Sequence, residues 1–357
     1  MKIYDERQTL FSRVRLQKGT KDYQQFYQSY PEYQSGDDAI RGMDFLNALR
    51  KSDEFKARVF PIFNENDHLT EHFYKAVETV KLKEKTPVPK DFHHNIKALM
   101  KHYGALDVGI VHLKTHHYYS HKGYNRDYPK QTYGEAIKTR YQTAIVYLVP
   151  MDEDHLKRAP HIESTLESLG AYLDIAYSGM RMATYLKQLG YRSTFQSEIY
   201  YLTPLVPLAV DAGLGEIGMH NHLMHPEYGN RVRIGAVLTD LPLKEDAPID
   251  FGVEAFCKRC ALCLMNCPML SISFKKRMVN EKQFYKFNDQ SCFKIFKNAG
   301  TDCGICIQSC PLSYNMGIAR LMDAKNDPKK IDKLIQKHLN KHGRRPSIKT
   351  PLPIVGE

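Results

Sequence analysis

All eight cysteines of this 357-residue chain lie between residues 257 and 311, in two half-matching runs. The first is Cys257-x2-Cys260-x2-Cys263-x3-Cys267-Pro268; the second is a lone Cys292 followed by Cys303-x2-Cys306-x3-Cys310-Pro311. A cubane iron–sulfur cluster needs four thiolates at tetrahedral corners. A C-x2-C-x2-C turn delivers three of them from one tight loop, so the fourth must come from elsewhere. Disulfides fit poorly, because no cysteine lies elsewhere in the chain to be stapled. Zinc uses C-x2-C pairs, but it does not ask for a third cysteine three residues on or for Cys-Pro at the end of both runs. The spacing therefore predicts two [4Fe-4S] clusters and, with them, a low-potential electron relay.

In two-cluster ferredoxins the cysteine before proline ligates the other cluster. Carried onto this sequence, the pattern assigns Cys257, Cys260, Cys263 and Cys310 to cluster one. Cys292, Cys303, Cys306 and Cys267 then hold cluster two.

The length suits two domains, one large core and one small cluster-bearing module. With 42% hydrophobic and 25% charged residues the composition is that of a globular protein. No apolar run approaches the ~18 residues of a membrane span. The start, Met1 to Arg7, has neither an apolar segment behind it nor a twin arginine, so a cytoplasmic location is expected. Lys and Arg exceed Asp and Glu by 11, with one concentration from Lys325 to Lys349. That excess suits a solvated basic surface or a docking face for an acidic ferredoxin or flavodoxin.

Residues 1 to about 85 are polar, tyrosine-rich and weakly periodic, with helical pieces such as Asp38 to Leu49; they read as a wrapping segment. After Pro87-Val88-Pro89, Asp91 is placed to cap a helix with Phe92, Ile96, Leu99, Met100 and Tyr103 at helical spacing, stopped by Gly104. Val108 to Leu113, Ala144 to Val149 and Arg233 to Thr239 are short β-branched runs that predict buried strands. The four histidines from His112 to His121 lack a convincing i, i+4 pair on a helix and read as surface residues. Beyond Pro160, apolar residues from Ile162 to Ala183 step by threes and fours in one long helix ended by Gly190, with Tyr177 flanking its buried face. Gly213, Gly215 and Gly218 allow close backbone approach to a large ligand. No acidic residue is placed downstream as a dinucleotide site requires. Pro226 to Gly229 reads as a turn, and a helix is expected near Lys330 to Lys341 before an extended end.

With these stretches in hand, the chain resembles the corrinoid-dependent reductive dehalogenases from about Ile96 to Tyr314. The resemblance rests on Lys97 to Gly109, Ala144-Ile145-Val146 with Met151-Asp152, Tyr177-Ser178 ahead of Leu189-Gly190-Tyr191, and Val206 to Gly218. It continues in Pro226-Glu227-Tyr228-Gly229-x-Arg231-Val232-Arg233, in Leu238 to Leu243 and in Cys303-Gly304-Ile305-Cys306. It implies an α/β fold: a nitroreductase-like cobalamin-binding core followed by a ferredoxin-like two-[4Fe-4S] domain. The implied division is 1–86 wrapping segment, 87–245 core, 246–320 cluster domain and 321–357 basic tail.

The resemblance also implies cobalamin held base-off, near Gly213, Gly215, Gly218 and Tyr228. No Asp-x-His-x-x-Gly stretch is present to supply a lower histidine ligand. The implied activity removes halide from an organohalide, with electrons from an external ferredoxin or flavodoxin. Tyr177 is the implied proton donor and Arg233 the cation beside it, with Tyr172 and Arg231 as close seconds.

The chain departs from the family pattern in lacking the twin-arginine signal, in Gly218-Met219 after the glycine turn and in Tyr200-Tyr201 before Val206-Pro207. A respiratory role and the usual halide pocket are thereby put in doubt. The alternative is an epoxyqueuosine reductase-like enzyme acting on tRNA, the only reading under which nucleic acid is a partner. The Asp-Tyr-His motif expected of that family is not matched: the helix reads Tyr177-Ser178-Gly179, and Asp127-Tyr128 is followed by Pro129. A non-catalytic iron–sulfur carrier would need no core of this size.

Overall fold

In the computed structural model, which describes residues 4–42, 49, 51–124, 133–198, 200–279 and 282–353, the three β-branched runs become neighbouring strands. Asp107–His112, Thr143–Pro150 and Val232–Thr239 lie side by side, and Ser193–Gln196 completes a four-stranded sheet on the far edge. Every pairing is antiparallel; Val146 stands opposite Gly109 on one side and Ala236 on the other. Helices cover both faces, which is why the central strands are, Arg233 and the end threonines apart, continuously apolar rather than alternating. Ser193–Gln196 escaped the sequence reading because four residues carry too little period-two signal.

Residues 233, 235 and 237 point to one face of the sheet, where the predicted long helix, Ile162–Gln188, lies. Its close approach is set by two glycines around one ring. A methyl group at Gly235 would stand 2.5 Å from the Tyr147 ring, and one at Gly179 would stand 2.5 Å from the Tyr147 hydroxyl. That hydroxyl donates to the Ile175 carbonyl at 2.6 Å, so the buried phenol is satisfied. The opposite face is covered by the short Leu205–Asp211 helix.

The N-terminal part differs from a polar wrapping segment. Asp53–Thr79 is a 27-residue helix, capped by Ser52 accepting from the Phe55 amide, and it packs along Ile162–Gln188. Tyr74 stacks on Phe195 with ring centroids 3.9 Å apart and belongs to the main core. Its apolar residues are sparse and Pro61 interrupts them, so the periodicity was weak. Earlier in the chain the helix Pro31–Ile40 ends before Arg41, short of the expected Asp38 to Leu49 piece, of which residues 43–48 lie outside the described residues. Asp127, Tyr128 and Pro129 lie outside them too, as do Met1 to Ile3.

The helix Phe92–His102 forms as predicted, but the Asp91 side chain makes no capping bond. At φ −94°, ψ 15° its backbone is not extended, so the carboxylate is not aimed at the free amides of the first turn. Gly104, at φ +107°, ends the helix region.

The cysteine-bearing region comprises the helices Val253–Cys260 and Leu262–Met265, the hairpin Ile272–Val279 with Lys282–Phe287, and the helices Asp289–Ala299 and Ile305–Gln308. The basic tail is not separate from it. Pro328–His342 is a helix that Asp327 caps, and it buries Ile331 with Leu334 and Leu339 in the same apolar cluster as Phe256 and Cys257. Arg259 and Asp332 join the two helices. No helix among the described residues is long and apolar enough to cross a membrane.

Candidate active site

All eight cysteines are free thiols, half-buried or buried. The thiols of Cys257 and Cys260 are pushed up by burial to about 12 and about 11. Cys263 is raised by burial, then by Cys310, Cys257, Cys306 and Cys260. Cys310 is raised by burial and then by Cys257 and Cys260. A second group behaves likewise: burial first, then Cys303 and Cys267, push Cys292 up to about 12. Cys306 is raised by burial and then by Cys303, Cys292 and Cys267. The structure thus brings Cys310 to the first run and Cys267 to the second, with Cys306 also reaching Cys263 where the sets adjoin. Buried thiols crowded so closely are stable as thiolates only around cations, a donor set that suits iron. Beside them the Tyr285 hydroxyl is raised by burial, Cys257 and Cys263, and neither it nor the Ser309 hydroxyl has a protein hydrogen-bond partner.

Tyr177 and Arg233 are not brought together. Tyr177 is 45% exposed; its ring meets Phe73, and the Arg181 guanidinium lies 5.4 Å from its centroid. Arg233 instead meets Ser168 and Tyr172, which are four residues apart and share a helix face. Its Nη2 donates to Ser168 Oγ at 2.6 Å, and the guanidinium stands 4.8 Å from the Tyr172 ring centroid. Five residues separate Tyr172 from Tyr177, about 140° around a helix of 3.6 residues per turn, so one tyrosine faces the junction and the other faces away. Arg231, the other candidate cation, binds backbone: it donates to Ser313 O at 2.6 Å and to Met151 O at 2.9 Å.

Sequence reasoning missed the groups around Arg233. The Asp302 carboxyl is raised by burial and drawn back down by Arg233. The His222 imidazole is lowered to about 4 by burial, with the Arg233 charge adding to the effect. His222 Nδ1 and Arg233 Nε are both buried without a hydrogen-bond partner. Asp302 immediately precedes Cys303, which was the available signal; His222 carried none. These orphaned polar atoms between core and thiols are what a polar-rimmed cofactor would satisfy.

The glycine turn serves the chain's own packing. Gly213 has φ +76°, and a methyl there would stand 2.5 Å from the Ala247 carbonyl oxygen. Gly215 abuts the Met224 carbonyl, and Gly218 abuts Met224 and His220. Tyr228 is half-buried, edge-on to His225 at 5.9 Å and beneath the Arg231 guanidinium at 5.4 Å. The expectation of surface histidines also needs correction at His117, which is buried. Its Nδ1 accepts from the Lys114 amide at 3.0 Å, so Nε2 carries the proton toward Asp211, also at 3.0 Å. His116 lies close enough to share a metal with them, but the Lys282 ammonium already pairs with Asp211.

Core and cysteine region are stitched at two places. Asn230 bonds the Ser313 hydroxyl while Arg231 holds the Ser313 carbonyl, just beyond Cys310-Pro311. Near Cys303, Thr301 bonds the Pro160 carbonyl and the Asp302 amide donates to Thr165 Oγ1 at 2.9 Å. Tyr172 and Ser168 therefore sit on the sheet-covering helix that also docks the second cysteine run, and Arg233 reaches them from the strand Val232–Thr239.

No family model matches the chain. It is 27% identical over 185 residues to the tetrachloroethene reductive dehalogenase of Sulfurospirillum multivorans, covering 50% of this chain and 36% of that one. Against the tetrachloroethene reductive dehalogenase of Dehalobacter restrictus the identity is 29% over 196 residues, covering 50% and 35%. The epoxyqueuosine reductase of Synechococcus is 33% identical over 137 residues, covering 35% and 40%. Among solved structures, the catabolic reductive dehalogenase NpRdhA in complex with 3-bromo-4-hydroxybenzoic acid superposes with a TM-score of 0.68 at 25% identity, over 81% of this chain and 43% of that one. The chain thus spans well under half the length of the relatives it matches. Residues, elements and relatives agree that the chain is a homologue of the reductive dehalogenases, with epoxyqueuosine reductase a further relative.

Proposed function

We propose that this chain carries out reductive dehalogenation, with Tyr172 in the proton-donor role first assigned to Tyr177. The reaction takes an organohalide, two electrons and one proton to the hydrocarbon and free halide. The observation that carries the reading is the contact of Arg233 with Tyr172 and Ser168 on the helix that docks the second cysteine run. A free tyrosine titrates near 10, so a phenol that is to give up its proton readily needs a cation a few ångströms away. Arg233 supplies that cation, and Ser168 fixes its guanidinium. Tyr172 delivers the proton to the carbon that loses halide, and Arg233 holds the phenolate until the proton is replaced.

Two [4Fe-4S] clusters fit the two thiol sets, with crossed ligation by Cys310 and Cys267. A base-off corrinoid fits between core and thiols, where Arg233 Nε, His222 Nδ1 and Ser309 Oγ have bonds left to make. When bound, it supplies the low-valent cobalt that takes the halide-bearing substrate through reduction. The nitroreductase-like core spans 87–245 with the long N-terminal helix added; the ferredoxin-like domain spans 246–320 together with the tail helix. The substrate is a small organohalide and the reductant an external ferredoxin or flavodoxin.

The test is anaerobic reconstitution with iron, sulfide and cobalamin, followed by halide release from bromophenols and chloroethenes under a chemical reductant. Close to eight iron per chain and halide release are expected. Turnover of epoxyqueuosine-containing tRNA with no halide from any substrate would transfer the activity to the other relative's chemistry.

A further inference from the structure

Leu270 carries two oddities at one position. It is 81% exposed, the most of any large apolar side chain among the described residues, and its backbone lies at φ +50°. The left-handed region is unfavourable for a branched side chain and comes readily only to glycine, or to asparagine and aspartate. The turn itself has a local purpose. It lets the Leu270 amide bond the Cys267 carbonyl at 3.2 Å and turns the Ser271 amide onto Cys267 Sγ at 3.3 Å. Glycine would make that turn with less strain, so the turn explains the backbone and leaves the leucine side chain unexplained. A strained, solvent-facing leucine paired with a second exposed apolar side chain marks a contact surface.

The surroundings say what kind of contact. Met265, two residues before Cys267 on the other side, is 57% exposed, so two large apolar side chains flank one half-exposed cluster thiol. Beside them runs the most cationic stretch of the protein, with nine Lys and Arg against two Asp from residue 325 to 349. The Asn266 side chain ties this stretch to the site by donating to the Arg344 carbonyl at 3.1 Å. Lys333, Lys337 and Lys341 point outward from the same helix whose inner face packs on the Val253–Cys260 helix. A small apolar centre, a cationic rim and a redox ligand directly behind them match the weak, steered encounters of electron-transfer proteins, which bury little area and rely on charge for rate.

We infer that the Met265 and Leu270 face over Cys267 is the docking surface for an acidic one-electron carrier protein, with Leu270 as its central apolar contact. Electrons enter at the cluster that Cys267 ligates, one per encounter, the carrier being oxidised as the cluster is reduced. The inference rests on the two-cluster reading above.

The test uses the reconstituted full chain and a purified acidic [2Fe-2S] ferredoxin, pre-reduced, with cluster reduction followed by stopped flow. Leu270→Gly, which relieves the backbone strain, is expected to lower the second-order rate at least tenfold. Lys341→Glu with Arg344→Glu is expected to lower the rate and flatten its fall with salt. Both variants are expected to be reduced by dithionite at the wild-type rate. Unchanged rates with ferredoxin in both variants would overturn the surface, as would a Leu270-dependent dimer of this chain in sedimentation. If dithionite reduces no cluster even in the wild type, it is the two-cluster reading that fails.

Discussion

Tyr172 and Tyr177 differ by five positions on one helix, and under the proposed mechanism only the one beside Arg233 is placed to act as donor. Tyr172→Phe is expected to lower halide release by about 10²-fold or more, the usual contribution of a positioned acid, with iron and corrinoid content unchanged. Tyr177→Phe should leave turnover within a factor of two. Equal losses in both variants would place the donor elsewhere. Arg233→Leu should slow turnover most at neutral pH, where an unassisted phenol near 10 holds its proton. A different residue sets a pH limit on folding. Glu6 is 1% exposed, and burial raises its carboxyl to about 7, only partly opposed by the bond from the Gly123 amide. A carboxyl whose folded pKa lies above its unfolded value favours folding fully below about 4.5, and that advantage is lost as pH rises through about 7. The loss is on the order of 3 kcal/mol. Glu6→Gln should remove it, so the melting temperatures of variant and wild type should diverge in favour of the variant from about pH 4.5 to about 7 and stay apart above that.

The helix Asp289–Ala299 carries Cys292, eleven residues from the next cysteine, and what places it is the N-terminal part of the chain. Arg13, 1% exposed, bonds Asp37 at 2.8 Å and Asp289 at 3.0 Å, while Gln290 donates to the Tyr33 carbonyl and to Asp37 at 2.8 and 2.9 Å. Phe293 packs with Leu10 and Ile40 on the same side. Breaking a buried ion pair by removing one partner costs roughly 3–5 kcal/mol, because a buried charge is left uncompensated. Arg13→Met should therefore lower the melting temperature and drop iron from close to eight toward four per chain. The paramagnetic signal of the cluster held by Cys257 and Cys260 should survive; loss of both signals together would deny this helix its separate anchor. Element by element, legibility followed the kind of signal. The grouping of the cysteines was readable because they stand at short, regular intervals, and the sheet strands because β-branched runs are buried on both faces. The N-terminal helices were not, since an Arg and Asp network and tyrosines bury them in place of an aliphatic period. The phase of the Ile162–Gln188 helix was read from the series Ile162, Leu166, Leu169, Leu173, Ala176, Met180 and Ala183, whereas its buried stripe also includes Ala171, Ile175 and Gly179 and turns Tyr177 outward.

At the scale of the whole molecule, function depends on how the cysteine region is seated on the sheet. That seating was illegible in the sequence, because it consists of single polar contacts and one close backbone approach between segments 82 to 141 residues apart. The turn ending at Gly229 is the tightest of them. Gly229 has φ +57°, and a methyl there would stand 2.5 Å from the backbone carbon of Leu312, so the turn lies directly against the chain leaving Cys310. Asn230 and Arg231 then fasten Ser313 beside it. Gly229→Ala imposes both a strained dihedral and a collision with backbone that cannot swing aside, and the region must shift outward to relieve it. On the proposed two-cluster reading each set keeps its own four thiols in such a shift, but the distance from the thiols to the proposed corrinoid site grows. The expected outcome is full iron content and wild-type reduction of the clusters by dithionite, with halide release slowed by a factor of ten or more. A control comes from Gly343, which has φ +73° but open space around the missing methyl. At φ +73° and ψ −171° Gly343 sits in a region essentially closed to other residues, so Gly343→Ala carries severe backbone strain without the collision and should cost stability while leaving electron delivery intact. If the two variants lose activity equally, the strain alone is responsible and the seam at Gly229 does not set the separation of clusters and core.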